Sequence, residues 1–325
     1  MNRNSQRGFS LVELMVAIVI SLFLVAGVVQ VYISNKSTYR FGEALSRLQE
    51  NGRFALDYMA TEIRQADFWG CADLTAVQNN LNPSAGWTSF LTAGGVAGTD
   101  NPTGTPDVLT IRGALDRGLR LRKVMPDTAA AAFVPLLSGL SQGDIVLLSD
   151  CLDGDIFQIT NISPGTGGDS DKAALVHNAG SVVSPGNSTH TLSKAYGLDA
   201  GVYLMSARTF SVANNPAGEP ALFVTGNGGA PQELVDGVED MQILYGEDTD
   251  VPGDGVPNRY VPAGAVADMN AVTAIRVSLL LRSPEDNVLE TPQTYTYNGG
   301  APVTAGDRRL RQVYTATINI RNRTR

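Results

Sequence analysis

The most constraining feature of this chain is a long apolar stretch close to its N-terminus. Residues 9–29 contain only three polar side chains, Ser10, Glu13 and Ser21. As an α-helix rising about 1.5 Å per residue, the stretch spans about 30 Å, the thickness of a bilayer's hydrocarbon core. It is longer than the apolar core of about 7 to 15 residues in an ordinary secretory signal peptide. The stretch therefore predicts a helix that can cross a membrane and that is kept in the mature chain.

Glu13 is the anomaly in this stretch. An acidic side chain in a transmembrane helix costs about 2.5 to 3.5 kcal/mol on insertion scales, and a nearby cation lowers that cost. Cleavage after Gly8 would give Phe9 a free α-amino group, which has a pKa near 8 and is largely protonated at neutral pH. Residues 9 and 13 lie on one face of a helix. The amine could therefore meet Glu13 within one chain or from an axially staggered copy.

Residues 7–18, which read RGFSLVELMVAI, carry a resemblance to known proteins. They resemble the class III signal sequence of type IV prepilins and of the pseudopilins of type II secretion. The resemblance implies that a membrane prepilin peptidase cleaves between Gly8 and Phe9 and N-methylates Phe9, and that Glu13 docks the subunit into a helical filament. A plain membrane anchor with a chance glutamate is the alternative.

The apolar stretch is followed by an amphipathic pattern. Apolar residues recur every three to four positions, with charged residues between them; they are Phe41, Leu45, Leu48, Ala55, Met59 and Ile63. We therefore expect a leader at residues 1–8, a transmembrane or filament-core helix at 9–33, its amphipathic continuation at 34–68 and a globular domain at 69–325. The helix is expected to end near residues 67–70. Gly42 and Gly52 are weak points in it, each costing about 1 kcal/mol relative to alanine.

The distribution of charge bears on location and partners. The net charge is -8, which argues against nucleic-acid binding because that needs clustered cations. Arg3 and Arg7 precede the apolar stretch, and the next cation is Lys36. This pattern predicts a cytoplasmic N-terminus in the inner membrane and an exported body.

The chain has two cysteines, Cys71 and Cys151. In an exported protein such a pair suggests a disulfide, which in the chain-entropy model would stabilise the fold by about 4 kcal/mol. Two buried free thiols are the alternative. A zinc or redox site is not indicated, because there is no CxxC motif and the only histidines are His177 and His190.

The globular part is rich in short strand patterns. We predict strands at 107–112, 144–149, 156–162, 174–177, 202–212, 222–225 and 241–245, with period-two alternation at 275–282 and 310–321. Residues 79–106 are predicted to be a loop, and residues 127–140 to be either a short helix or an irregular connection. Together with the long helix, these patterns predict an α+β fold in which the helix packs on an antiparallel sheet and carries an enlarged β-rich head.

Three further segments narrow the resemblance to the PilW family of minor pilins. They are 52–64, which contains GRFAL, 234–246, which contains LVDGVEDMQ, and 309–311 before the last strand. The family implies a subunit that joins other minor pilins and the major pilin in the complex that primes a type IV pilus and sits at its tip. The competing resemblance is to the J-type minor pseudopilin of type II secretion. The middle of the chain, residues 72–230, resembles nothing that we can name.

Candidate chemistry is sparse. Asp248, Asp250 and Asp254 form the densest carboxylate cluster, and oxygen ligands on a Gly-containing loop suit calcium. Their spacing departs from the D-x-D-x-D-G pattern, so a solvated acidic hairpin is the alternative. No G-x-S-x-G or H-E-x-x-H motif is present. We therefore expect no other cofactor and no enzyme activity. The second hypothesis is an adhesin displayed at the pilus tip, with the middle region as its binding head. The third is a membrane-tethered enzyme, which no candidate catalytic residues support.

Overall fold

The computed structural model describes residues 10–72, 74–83, 94–102, 105–180, 184–227 and 229–324. Its long helix, α1, spans Leu11–Arg64. The helix ends earlier than predicted, because Asp67 adopts a left-handed φ of 62°, which an α-helix cannot continue through. The Asp67 backbone N–H donates instead to the carbonyl of Arg112, 2.9 Å away. The chain therefore leaves α1 to join the strands.

The strands fall into two larger and two smaller sheets. Their bounds are β1 Val77–Asn79, β2 Val96–Thr99, β3 Val108–Arg120, β4 Ala132–Pro135, β5 Ile145–Ser149, β6 Gly154–Gln158, β7 Asn161–Pro164, β8 Lys172–Val176, β9 Gly201–Asn214, β10 Pro220–Gly226, β11 Gln232–Asp236, β12 Val238–Glu247, β13 Arg259–Val261, β14 Val272–Arg282, β15 Thr294–Tyr295, β16 Val303–Thr304 and β17 Arg311–Asn319.

Strand order divides the domain into a helix-bearing part and a head. The largest sheet has the order β1-β6-β5-β9-β10-β11, with β3 pairing β9 and β2 pairing β3. The second sheet has the order β13-β12-β14-β17 and is antiparallel. The head adds the sheet β4-β8-β7, and β15 and β16 form a separate pair. The predicted α+β fold with an enlarged β-rich head is confirmed.

One hydrophobic core joins α1 to both larger sheets, with Met59 from α1, Phe210 from β9 and Ile275 from β14 among its buried members. The face of α1 that packs into it follows the predicted amphipathic pattern from Leu48 to Ile63. Phe41 was predicted on this face but is 38% exposed. The buried stripe starts only at Ala44, so Phe41 lies beyond the end of the packed surface.

Two predictions about the middle of the chain need correction, and for residues 127–140 the irregular alternative applies except at one strand. The segment 79–106, predicted as a loop, contains the strand Val96–Thr99, which pairs with β3; residues 84–93 and 103–104 of that segment lie outside the described residues. The segment 127–140 is irregular except for the strand Ala132–Pro135. The predicted strand 156–162 is two strands, because β6 pairs with β5 whereas β7 turns away to pair with β8.

The two glycines predicted as equivalent weak points of α1 differ in the structure. Among the described residues, a Cβ on Gly42 would have no atom within 4 Å, whereas a Cβ on Gly52 would lie 2.5 Å from Cδ2 and 2.8 Å from Cγ of Tyr314. Gly52 is therefore a packing contact, since it lets β17 approach the helix closely.

We expect Gly42→Ala to raise the free energy of unfolding by up to about 1 kcal/mol, because alanine is the better helix former. Gly52→Ala gains the same propensity but displaces the Tyr314 ring, so we expect a net loss of about 1 to 3 kcal/mol. Denaturant unfolding of the full-length chain in detergent measures both. Shifts of the same sign in the two variants would contradict the packing role.

Candidate functional site

The N-terminal end of α1 holds the first group of predicted site residues. Gly8 and Phe9, between which cleavage is predicted, lie outside the described residues. The Ser10 hydroxyl accepts a hydrogen bond from the backbone N–H of Glu13 at 3.2 Å, and the Glu13 carboxylate accepts one from the backbone N–H of Ser10 at 2.9 Å. This reciprocal pair is a capping box. Glu13 therefore caps its own helix in the isolated chain, a role that the sequence analysis did not assign to it.

The first half of α1 projects from the globular domain. Its side chains from Ser10 to Tyr39 are exposed, although most of those up to Ile33 are apolar. Within the described residues, this helix is long and apolar enough to cross a membrane. An exposed apolar rod of this length needs lipid or other apolar helices around it.

The second half of α1 is fastened to the domain at its C-terminal end. Cys71 is disulfide-bonded to Cys151, which lies in the turn between β5 and β6, so the predicted disulfide is present. Both cysteines are exposed. The bridge ties the segment that follows α1 to the middle region of the chain.

The C-terminal tail secures the same end of the helix. The Asp67 carboxylate accepts hydrogen bonds from Arg323 Nε at 2.6 Å, from Trp69 Nε1 at 2.8 Å and from the Gly95 backbone N–H at 2.8 Å. Burial raises the pKa of Asp67, but Arg323 and these hydrogen bonds outweigh it and hold that pKa below its ordinary value. The carboxylate therefore stays ionised, and it joins the end of α1 to the last residues of the chain.

A second charged network lies at the start of β17. The Arg311 side chain is only 5% exposed, and its Nε donates to Glu239 at 2.7 Å while its Nη1 donates to Asp307 at 2.5 Å. Burial lowers the pKa of Arg311, but its bonds to the two carboxylates raise it to a net value above the ordinary one. Period-two alternation along residues 310–321 places Arg311 among the polar positions between the apolar ones, so the sequence did not mark this network. Further ion pairs extend this network towards the largest sheet. Arg282 pairs with Glu239 and with Glu219, which directly precedes β10, and Arg309 also pairs with Glu219.

The middle region has a buried polar centre that the sequence did not mark. Asp155 is fully buried, and its carboxylate accepts hydrogen bonds from Asn80 Nδ2 at 2.7 Å, Tyr196 Oη at 2.7 Å and Ser193 Oγ at 2.5 Å. Burial raises the pKa of Tyr196 above its ordinary value, which keeps the phenol as a donor. The donors come from two segments, one directly after β1 and one before β9, and Asp155 links both of them to β6.

The acidic loop brings its three carboxylates together. One carboxylate oxygen from each of Asp248, Asp250 and Asp254 lies within 4.8 Å of the others. Asp248 also accepts hydrogen bonds from the backbone N–H groups of Asp250 and Gly255, and Asp250 accepts one from Asn258 Nδ2 at 3.1 Å. With one converging oxygen each, the three carboxylates supply three of the six to eight oxygens that calcium takes. Calcium binding at this loop stays a prediction.

Comparisons with known proteins find matches to family models near both ends of the chain. Residues 209–322 match the family model described as type IV pilus-assembly protein W (PilW), and residues 3–29 match the prokaryotic N-terminal methylation motif. The first match takes in the second sheet and the charged network around Arg311. No curated protein matches the chain.

A solved structure was also found, that of a type IV-like pilin from Thermus thermophilus. It is 14% identical, with 86% of this chain and 98% of that chain covered and a TM-score of 0.33. We base no functional conclusion on this similarity.

Proposed function

We propose that this type IV pilin-like protein, which has a PilW domain and an N-terminal methylation motif, is a minor pilin of the complex that primes a type IV pilus and remains at its tip. The prepilin peptidase removes residues 1–8 and methylates Phe9. The chain then waits in the inner membrane, with its N-terminus on the cytoplasmic side, until α1 leaves the lipid for the filament. Its partners are other minor pilins and the major pilin.

The observation that carries this proposal is the division of α1 into two halves. Side chains from Ser10 to Tyr39 are exposed, whereas from Ala44 onward one face of the helix is packed on the domain. The first half can therefore exchange lipid for neighbouring helices without any change in the folded domain. This behaviour suits a structural subunit, and we assign the chain no enzyme activity.

A minor pseudopilin of type II secretion would share the N-terminal helix. The match of residues 209–322 to a pilus-assembly family favours the pilus. A tip-displayed adhesin is compatible with the large head, but no described contact identifies a surface for it to bind.

The proposal is tested by the mass and the location of the native protein and by deletion of its gene. We expect sheared pili from the source organism to contain the chain, with a mass that corresponds to residues 9–325 plus one methyl group. Deleting the gene should reduce piliation and leave type II secretion intact. A mass that includes Met1, a cut beyond the apolar stretch, or loss of secretion with normal piliation would overturn the proposal.

A further inference from the structure

The strand β17 lies at an edge of the second sheet. Its nine residues pair with β14 in continuous register from Arg311 to Asn319, without a bulge. It contains no lysine and no proline. Natural edge strands are commonly protected against further pairing by a bulge, a proline or an exposed charge. After its buried Arg311, β17 has none of these.

The hydrogen bonds at the two ends of β17 show which backbone groups face the free edge. The Leu310 carbonyl accepts from the Ser283 N–H at 2.8 Å, and the Ile320 N–H donates to the Thr273 carbonyl at 2.9 Å. Both bonds point toward β14. Because bonding alternates along an antiparallel strand, the even-numbered residues bond to β14 and the odd-numbered residues point outward. Within the described part of the chain, no hydrogen bond reaches the outward backbone groups of Val313, Thr315, Thr317 and Asn319.

The first outward position is already filled in a way that shows what the edge accepts. The side-chain amide of Gln293 accepts a hydrogen bond from the Arg311 N–H at 2.7 Å and donates one to the Arg311 carbonyl at 3.0 Å. These are the two bonds that a residue of a neighbouring strand would make. Beyond this point the described residues leave the edge open from Val313 to Asn319, a length of about 20 Å at 3.4 Å per residue.

The side chains along the open edge define the chemistry of a complementary strand. Thr315, Thr317 and Asn319 are exposed and uncharged, and on the opposite face Tyr314 and Ala316 are half-buried beside the core that includes α1. Cross-strand neighbours favour β-branched and polar side chains opposite threonine, and apolar ones opposite tyrosine and alanine. A fitting strand alternates apolar and uncharged polar residues.

A second copy of this chain does not suit the edge. Antiparallel pairing of β17 with itself requires a two-fold axis perpendicular to the sheet, which reverses every direction that lies in the plane of the sheet. Because α1 lies along that sheet, the two helices would point in opposite directions. Their apolar halves could not then enter the same membrane or the same filament.

We propose that β17 takes up an extended strand of about five to seven residues from a different subunit of the pilus complex, which adds to the second sheet by backbone hydrogen bonding. This inference rests on the proposed function, because it needs an assembly in which the other subunit is held nearby. It assigns the PilW-matched region a direct contact with a neighbour, in addition to the contacts of α1.

Thr315→Pro tests the strand addition. Proline removes an outward N–H and leaves the even-numbered residues to bond with β14, which an edge strand tolerates. Thr315→Val is the matched control, because it also loses the hydroxyl contact with Ser278 but keeps the N–H. The measurement is the amount of neighbouring subunit that is cross-linked to the full-length chain and recovered with it. We expect this amount to fall about tenfold for the proline variant, which corresponds to about 1.4 kcal/mol. For the valine variant we expect it to stay near wild type. Equal recovery with both variants would overturn the proposal.

Hydrogen exchange of the unaltered chain is the second measurement and does not depend on the folding of a variant. In pili, the amides of Val313, Thr315, Thr317 and Asn319 should be protected, whereas in the isolated chain they should exchange quickly. Unprotected odd-numbered amides in pili that contain the chain would overturn strand addition alone. Absence of the chain from pili would overturn the proposed function. Protection that appears in the isolated chain as its concentration rises would identify a second copy as the pairing partner. It would overturn the assignment of the added strand to a different subunit.

Discussion

Replacing Glu13 with alanine is expected to reduce the amount of this chain recovered in sheared pili by about tenfold or more, while its amount in the inner membrane is maintained. A buried carboxylate in hydrocarbon is unfavourable by about 2.5 to 3.5 kcal/mol unless it meets a cation. Membrane insertion therefore does not need Glu13, whereas docking would use its charge against the α-amine of a neighbouring subunit. Quantitative immunoblots of pilus and membrane fractions measure the effect.

The capping box supplies controls that separate charge from helix capping. Glu13→Gln removes the charge but keeps a side chain that can cap the helix, so it should fail like alanine. Ser10→Ala removes the cap, at a cost of about 1 kcal/mol, and keeps the charge, so it should assemble nearly normally. If glutamine assembles as well as glutamate does, Glu13 acts through the cap and the docking role is wrong.

Removing the disulfide is expected to have the largest effect on stability. The bridge joins residues separated by 80 positions, so the chain-entropy model gives a loss of up to about 4 kcal/mol when Cys71 and Cys151 are both changed to serine. Because both cysteines are exposed, the substitutions leave no cavity in the core. Denaturant unfolding of the full-length chain in detergent measures the change.

The structure supplies a way to separate an effect on the unfolded chain from a loosened fold. The turn that carries Cys151 is also held by Lys194, whose Nζ lies 2.6 Å from Asp150 and 3.0 Å from Asp153. Native-state hydrogen exchange in this turn should therefore change little in the double variant, while the unfolding midpoint falls. An unchanged midpoint would contradict a stabilising role for the bridge.

Several features could be predicted because the information lies within a few neighbouring residues. The apolar stretch and the three-to-four-residue spacing of Leu48, Ala55, Met59 and Ile63 specify one helix with two different halves. Period-two alternation located β14 and β17, although β14 is buried on both faces except at Arg276 and Arg282. The disulfide followed from the presence of only two cysteines in a chain expected to be exported.

Other features could not be predicted because they depend on residues that are distant in sequence. Arg311 looks solvent-facing in the alternation of its strand, yet Glu239, 72 residues away, accepts hydrogen bonds from its buried guanidinium. Gly52 looks like a flaw in a helix until Tyr314 is placed against it. In both cases the pattern gives the conformation of a segment but not the side chain opposite it.

The membrane-length helix, its amphipathic continuation and the β-rich character of the domain can be predicted from the order of the residues alone, since backbone periodicity and side-chain polarity act locally. Which strand lies at the edge of a sheet becomes known only from the folded chain. That outcome depends on the pairing of all the strands, and the unpaired backbone groups of β17 are the same chemical groups in every residue. Their availability to a neighbour is therefore a property of the fold.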